Sequence, residues 1–434
     1  MQRILSIILV GIITSLGFFP TEFAIFAGKN SKMIIAGIGL LVIAIHSANR
    51  RNSIINRDFF ILLIFGCLVS LAGLVATAYN NTSDYTYATY VVSMLVWLSS
   101  SYVIISAMRY VHGKATVEIV MNYLIAVCVA QCILALTMDL YAPLKRFIDS
   151  IVVANNFMGT IENRMYGLGC SLDIAGTRFA AVLIMVAHQC ITAIKRNNNK
   201  LFALYLAAFT IITAIGNIIS RTSIVGVVLA IIYWLYASGV FNSHINETGK
   251  KLWKGVLTAL LISLPIIIYC YYTIPAIHSH LRFAFEGFFS LVEKGYWDVH
   301  SNNMLKNMVI FPETMKTWII GDGYFNNPLN ADYHYIGKGI DVFYMYTDIG
   351  YLRFIFYFGI IGTIMFCLYM LKAAAICISR FDGYKMMFFF ILLVNYIVWC
   401  KVATDIFLVF ALFLCVTNDD EKRVKVMGEG LRER

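Results

Sequence analysis

Long apolar runs alternate with short polar breaks almost from one end of the 434-residue chain to the other. A helix needs about 20 apolar residues to cross a bilayer. Windows of about 19 residues predict spans near 4–22, 33–48, 59–78, 88–108, 116–138, 174–194, 201–219, 222–240, 253–273, 350–371, 386–400 and 403–417. The second and the last two are the shortest. This pattern predicts an all-α polytopic membrane protein with about 12 transmembrane helices, forming a single integral membrane domain over 1–434. One connection stands apart, the large loop 274–349 between helices 9 and 10. A loop of such length without function is uncommon.

The polar breaks alternate in charge. Arg50, Arg51, Arg57, Arg109, Lys195, Arg196, Lys200, Lys250, Lys251 and the basic tail all fall on one side of the predicted bundle. Lysine and arginine collect on the cytoplasmic side, so both termini are expected there. Lys29 and Lys32, in the first outward connection, fit this assignment least well. Composition agrees with the membrane class. The chain is 60% hydrophobic and 13% charged, against about 25% charged in soluble domains, and its mean hydropathy is +0.76. The net charge of +10 lies mainly beside spans, as membrane anchors do, and implies no nucleic-acid partner. The apolar N-terminus resembles a signal peptide but lacks a small-residue cleavage site, so the first span is expected to be retained.

Chemistry has few places to sit. Nine of the ten cysteines fall in or at the ends of spans, with only Cys170 in an outward loop. A disulfide is not expected, because one outward cysteine cannot bridge within the chain, and a metal is not expected, because no pair has ligand spacing. No phosphate-binding glycine loop is present, and Gly321-Asp322-Gly323 reads as a turn. In the large loop, Leu281, Phe285, Phe288 and Phe289 recur as in a helix lying in the membrane interface.

The basic residues at the outer ends of spans are more informative. Arg178, Arg221 and Arg353 each stand at the head of an inward-running helix, where the helix dipole is itself positive. Such placement is unfavourable unless an anion sits among them, and guanidinium groups suit phosphate. The alternatives are ordinary: Arg221 could snorkel from a tight turn, and Asp173 or Thr177 could cap the helix of Arg178. Arg353 follows Asp348 by five residues, a spacing that puts them apart around a helix and predicts no local ion pair. Arg164 is a loop cation, either solvated or ligand-binding. Arg282 and Glu286, four residues apart, read either as a surface pair or as part of a ligand site. Asp348 is either an N-cap or a general base. His334 is a second candidate base, or a local hydrogen-bonding group among tyrosines, and Glu162 is a weaker third. The loop aromatics Tyr296, Trp297, Tyr324 and Tyr344 could stack on sugars or line an interface belt.

Three segments carry a family resemblance. Arg164-Met165-Tyr166-Gly167 ahead of the Arg178 helix, Ser220-Arg221-Thr222 before the large loop, and Gly321-Asp322-Gly323-Tyr324 with Thr347-Asp348-Ile349-Gly350-Tyr351-Leu352 at its close resemble the bacterial O-antigen polymerase (Wzy-type) family, related to the O-antigen ligases. The resemblance implies polymerisation of undecaprenyl-pyrophosphate-linked oligosaccharide repeat units at the periplasmic face of the inner membrane. It implies no cofactor, and its expected partners are the lipid-linked substrate, membrane lipids and a possible chain-length regulator. On this reading Arg164, Arg178, Arg353, Arg282 and Tyr351 bind substrate, while Asp348, Arg221 and His334 are catalytic. Related ligases carry a histidine where Asp348 stands, a departure that favours polymerase over ligase, and an arginine near Asn303 to Lys306, where this chain has none. Two other classes compete: a flippase for the same lipid-linked oligosaccharide and an O-antigen ligase. A flippase needs charges through the membrane centre, where this chain has few, His188 being one.

Overall fold

The computed structural model describes residues 2–26, 28–48, 55–153, 164–242, 244–328 and 342–417. Among these the chain is all-helical, with three isolated β-bridges and no strand. The helices are α1 Gln2–Phe18, α2 Ser31–Ala48, α3 Arg57–Asn80, α4 Tyr90–His112, α5 Val117–Leu140, α6 Ala142–Ile151, α7 Leu172–Lys195, α8 Asn199–Ile219 and α9 Ser223–Ala237. After them come α10 Glu247–Thr273, α11 Pro275–Ala284, α12 Glu286–Lys294, α13 His300–Asn307, α14 Met315–Ile319, α15 Gly350–Arg380, α16 Lys385–Val398 and α17 Phe407–Leu414. Eight described helices are long and apolar enough to cross a membrane: α2, α3, α4, α5, α7, α8, α10 and α15. The other four expected spans form apolar helices too, but shorter ones, and α16 and α17 reach only 14 and 8 residues.

Several helix starts follow directly from sequence. Asn56, Thr116, Asn198 and Asn246 sit just before α3, α5, α8 and α10, and each side chain accepts a backbone N–H of the first turn. That satisfies donors the helix cannot satisfy itself. Packing then selects the centre. Nearly every residue of α7 is buried, and small residues let its neighbours come close. Gly226 of α9 lies directly on the backbone of Ala180, leaving no room for a methyl group. By contrast α10 has no buried residue beyond its first two turns and stands at the rim of the bundle.

Polar contacts mark two ends. At one, Arg196 pairs with Glu118 at 2.6 Å and Arg380 with Asp58 at 2.6 Å. The opposite end is rich in loops, and there Asp139 meets His280 at 2.9 Å and Lys316 meets Asp322 at 2.6 Å. Two breaks in regular structure shape this end. The first is in α15, where Phe358 and Gly359 leave helical geometry, Gly359 with φ +68°. The loop after α14 fills the break: Asp322 donates its N–H to the Phe356 carbonyl at 2.6 Å and Gly323 to that of Tyr357 at 3.0 Å. Carbonyls freed by the kink thus find donors, as backbone away from water must. The second is the segment 399–406 between α16 and α17. It closes on itself through Trp399 Nε1 to the Thr404 carbonyl at 2.8 Å and Ile406 N–H to Asn395 Oδ1 at 3.1 Å. It also receives the start of α15, whose Tyr351 N–H donates to the Trp399 carbonyl.

Candidate functional site

At the loop-rich end, α8 stops at Ile219 and α9 starts at Ser223, leaving Ser220, Arg221 and Thr222 as a tight connection. Gly176 of α7 lies against Ser220 and Thr222, so this turn sits directly on the first turns of α7. Asp173 faces the turn and accepts hydrogen bonds from Thr222 Oγ1 and Ser220 Oγ. The same carboxylate takes the Lys401 ammonium at 2.7 Å, from the irregular segment between α16 and α17. Asp173 therefore does not cap α7; it ties three elements together. Neither does Thr177, whose hydroxyl donates back to the Asp173 carbonyl.

Arg221 points away from this knot toward the large loop. It pairs with Glu286 at 2.8 Å, donates to Ser301 Oγ at 3.2 Å and lies 4.0 Å from the centre of the Phe283 ring. Arg164 approaches the same ring at 5.2 Å. Two guanidinium groups from different connections thus share one aromatic ring, a favourable contact for each. A cavity of about 240 Å³ opens here, lined by Arg221, Lys401, Asn217, Glu286, Ser301 and Asn302 on its polar side and by Phe285, Phe288 and Trp297 on the other.

Arg353 and Asp348 contradict the expectation from spacing. Asp348 precedes the N-cap Ile349 rather than lying within the helix, so its side chain folds back and meets Arg353 at 3.4 Å. The guanidinium also donates to the Phe325 carbonyl at 3.0 Å and to Asn326 Oδ1 at 3.1 Å, and stacks 3.5 Å from the Phe325 ring. Buried and engaged in this way, Arg353 holds the closing end of the loop. Asp348 is no N-cap. Burial pushes its carboxyl up to about 7, further raised by Asp173 and opposed by Arg353 and Lys401. It is a group able to exchange a proton near neutrality.

The remaining expectations separate. Arg178 is buried on the other side of α7, among the rings of Phe18, Phe19 and Trp97 at 5.6–5.8 Å, with the charges of Lys32 and Asp405 within electrostatic reach. It does not line the cavity of Arg221, because a step of two residues from Gly176 carries the side chain roughly halfway around the helix. Arg282 does not pair with Glu286; it binds Glu293 through two hydrogen bonds of 2.7 and 2.8 Å, since the chain breaks between α11 and α12 and changes direction there. Glu286 is left free for Arg221. Tyr351 packs inward, its hydroxyl donating to the Tyr396 carbonyl at 3.0 Å and its ring set edge-on to Trp399. Its hydroxyl is thereby committed to a packing contact between α15 and α16. His334 and Glu162 lie outside the described residues.

Lys401 is the cavity residue that the sequence does not reveal. It stands between two apolar runs and reads as a loop cation of a hairpin between spans. Only the shortness of α16 and α17 puts it beside Arg221. Four residues from Arg282, Glu286 carries no sequence signal linking it to the Arg221 turn so far away in the chain. No protein-family model matches this sequence, and no curated protein or solved structure matches it.

Proposed function

We propose that this chain is a glycosyltransferase-type polysaccharide polymerase that extends lipid-linked O-antigen repeat units. In this reading it has about twelve spans in a bacterial inner membrane, with both termini cytoplasmic and its loop-rich end facing the periplasm. The donor is a glycan on undecaprenyl pyrophosphate. The acceptor is the terminal sugar of a new lipid-linked unit. The acceptor hydroxyl oxygen bonds to the anomeric carbon of the donor, the bond from that carbon to the phosphate oxygen breaks, and the lipid pyrophosphate leaves with the bonding pair. The hydroxyl proton passes to a carboxylate.

One observation carries this reading: a cavity of about 240 Å³ whose polar wall includes Arg221 and Lys401, with Arg164 on the same Phe283 ring as Arg221. Cations fixed in advance where a pyrophosphate gains charge stabilise its departure, each key donor contributing about 2.7–4 kcal/mol. Glu286 pairs with Arg221 at 2.8 Å. The incoming pyrophosphate takes its place. Asp348 stands outside the cavity lining but within electrostatic reach of Lys401; held by Arg353 and poised at about 7, it is the carboxylate to which this reading sends the acceptor proton. Charged pairs collect at the two ends of the bundle, and few ionisable residues, His188 among them, lie along its middle, which favours a surface reaction over transport.

The test is direct. Purified protein given a synthetic lipid-linked repeat unit is expected to produce a ladder of lipid-linked products. Unchanged single repeats under conditions that preserve the fold would remove the polymerase reading. Cells lacking the protein separate the neighbouring activities: single-repeat lipopolysaccharide marks a polymerase, lipid-linked long chains mark a ligase, and cytoplasmic accumulation marks a flippase.

A further inference from the structure

An apolar groove of about 800 Å³ lies on the flank of the bundle. Its walls are α8 and α10, and it is roofed by α11 and α12. The groove exists because α10 stands away from the bundle along its outer two-thirds, where Leu260, Leu264 and Ile268 remain largely uncovered. Its lining is almost entirely hydrocarbon and aromatic, with a single ion pair, Arg282–Glu293, at the roof. Nothing about such a surface recognises sugar or phosphate. It suits an alkyl or isoprenoid chain lying along the helices.

What selects the occupant is continuity with the cavity of Arg221. Phe285 and Phe288 line both spaces. Helix α8 walls both as well, with Thr210, Thr213 and Ala214 facing the groove and Asn217, one turn further on, facing the cavity. A cationic chamber thus opens beside a hydrocarbon trough, the two meeting at the aromatic ridge. The complementary molecule has an anionic head and one long apolar tail. We propose that the groove between α8 and α10 receives the polyprenyl chain of the donor while its pyrophosphate lies at Arg221 and Lys401. This assignment rests on the polymerase reading for the identity of the donor, but its geometry is separate. Roofed by the Arg282–Glu293 pair, the groove admits the chain from the membrane side, and the roof fixes where tail ends and head begins.

Two measurements test it. Ala214→Trp and Ser263→Trp, one on each wall, fill the groove with bulk while leaving the polar cavity untouched. Turnover is compared for an undecaprenyl-pyrophosphate donor and for one with a two-isoprene tail carrying the same glycan. The ratio of kcat/KM for the long donor to that for the short donor is expected to fall about tenfold in the variants, the loss of roughly two buried methylene groups. A ratio equal to that of the parent overturns the proposal. The second measurement does not depend on catalysis. Undecaprenyl pyrophosphate with a diazirine in its tail is photolysed with the full chain in nanodiscs. Label is expected in 206–214 and 256–272, suppressed by excess undecaprenyl phosphate and by Ser263→Trp, and unaffected by phosphatidylglycerol. Label scattered over the lipid-facing helices, or competed equally by phosphatidylglycerol, overturns it. Should the parent turn over neither donor yet retain specific labelling, the polymerase reading fails and the tail site stands.

Discussion

Arg221 carries its charge ahead of α9, where the positive pole of that helix repels it, and Glu286 supplies the compensating anion at 2.8 Å. Replacing Arg221 with alanine leaves Glu286 without its partner, yet both line the cavity at the loop-rich end and stay partly exposed rather than lying in the core. The variant is expected to insert normally and to lose turnover by about 10²–10³, read as the disappearance of product ladders; near-parental ladders would take Arg221 out of the reaction. Asp348 has a different signature. Its carboxyl is pushed up to about 7 by burial, and only its ionised form accepts a proton. Rate should therefore rise with pH through about 7 and level off above it. Asp348→Asn is expected to abolish that inflection along with most activity, whereas Glu286→Gln keeps it. Arg178 lies among Phe18, Phe19 and Trp97 with no carboxylate within ion-pair distance among the described residues. A buried cation without a close partner is a burden on the fold. Arg178→Met is accordingly expected to hold or raise the thermal midpoint, measured by fluorescence-detected size exclusion after heating. At this scale the residue types pointed toward anion chemistry, and partners did not follow from them. Spacing along a helix predicted Arg282 with Glu286 and forbade Arg353 with Asp348; both fail because the chain leaves the helix between the members of each pair.

Among the elements, α15 shows how a break is held open. Gly359 has φ +68°, and an added methyl group would strike the Ile319 carbonyl. Gly359→Ala is expected to destabilise the protein by about 1–3 kcal/mol, seen as a lower thermal midpoint. Gly11→Ala serves as the control, because Gly11 has nothing within 4 Å and alanine favours helix there. The hydropathy of 350–371 announced a span and gave no sign of the kink, since Phe358-Gly359 sits inside an unbroken apolar run. What makes the kink tolerable is the loop bringing Asp322 and Gly323 N–H groups to the exposed carbonyls, a contact formed across distant sequence. The short pair α16 and α17 was visible as weak spans. That the segment between them would tuck Lys401 against Asp173 was not.

For the whole molecule, opposite ends of the bundle carry different chemistry, and the polymerase reading puts the loop-rich end on the periplasmic side. Lys306→Cys, on exposed α13, and Lys200→Cys, at the start of α8, sit at these two ends. A membrane-impermeant maleimide applied to intact spheroplasts is expected to label Lys306→Cys above the parental background and to leave Lys200→Cys unlabelled until lysis. The reverse pattern would put the cavity in the cytosol and end the proposed function. The sequence by itself determined the class of the molecule, because burial of apolar length in lipid is a local property that each segment carries alone. It also marks where α3, α5, α8 and α10 begin, through side chains acting on their own first turn, but not the starts of α7 and α15, where Asp173, Thr177 and Asp348 cap nothing. Tertiary structure alone decided which charges meet. Arg221 with Glu286, Asp173 with Lys401, and the aromatic ridge between cavity and groove each join segments far apart in the chain. Electrostatic contact depends on distance in space, and no pattern of neighbours along the sequence contains it.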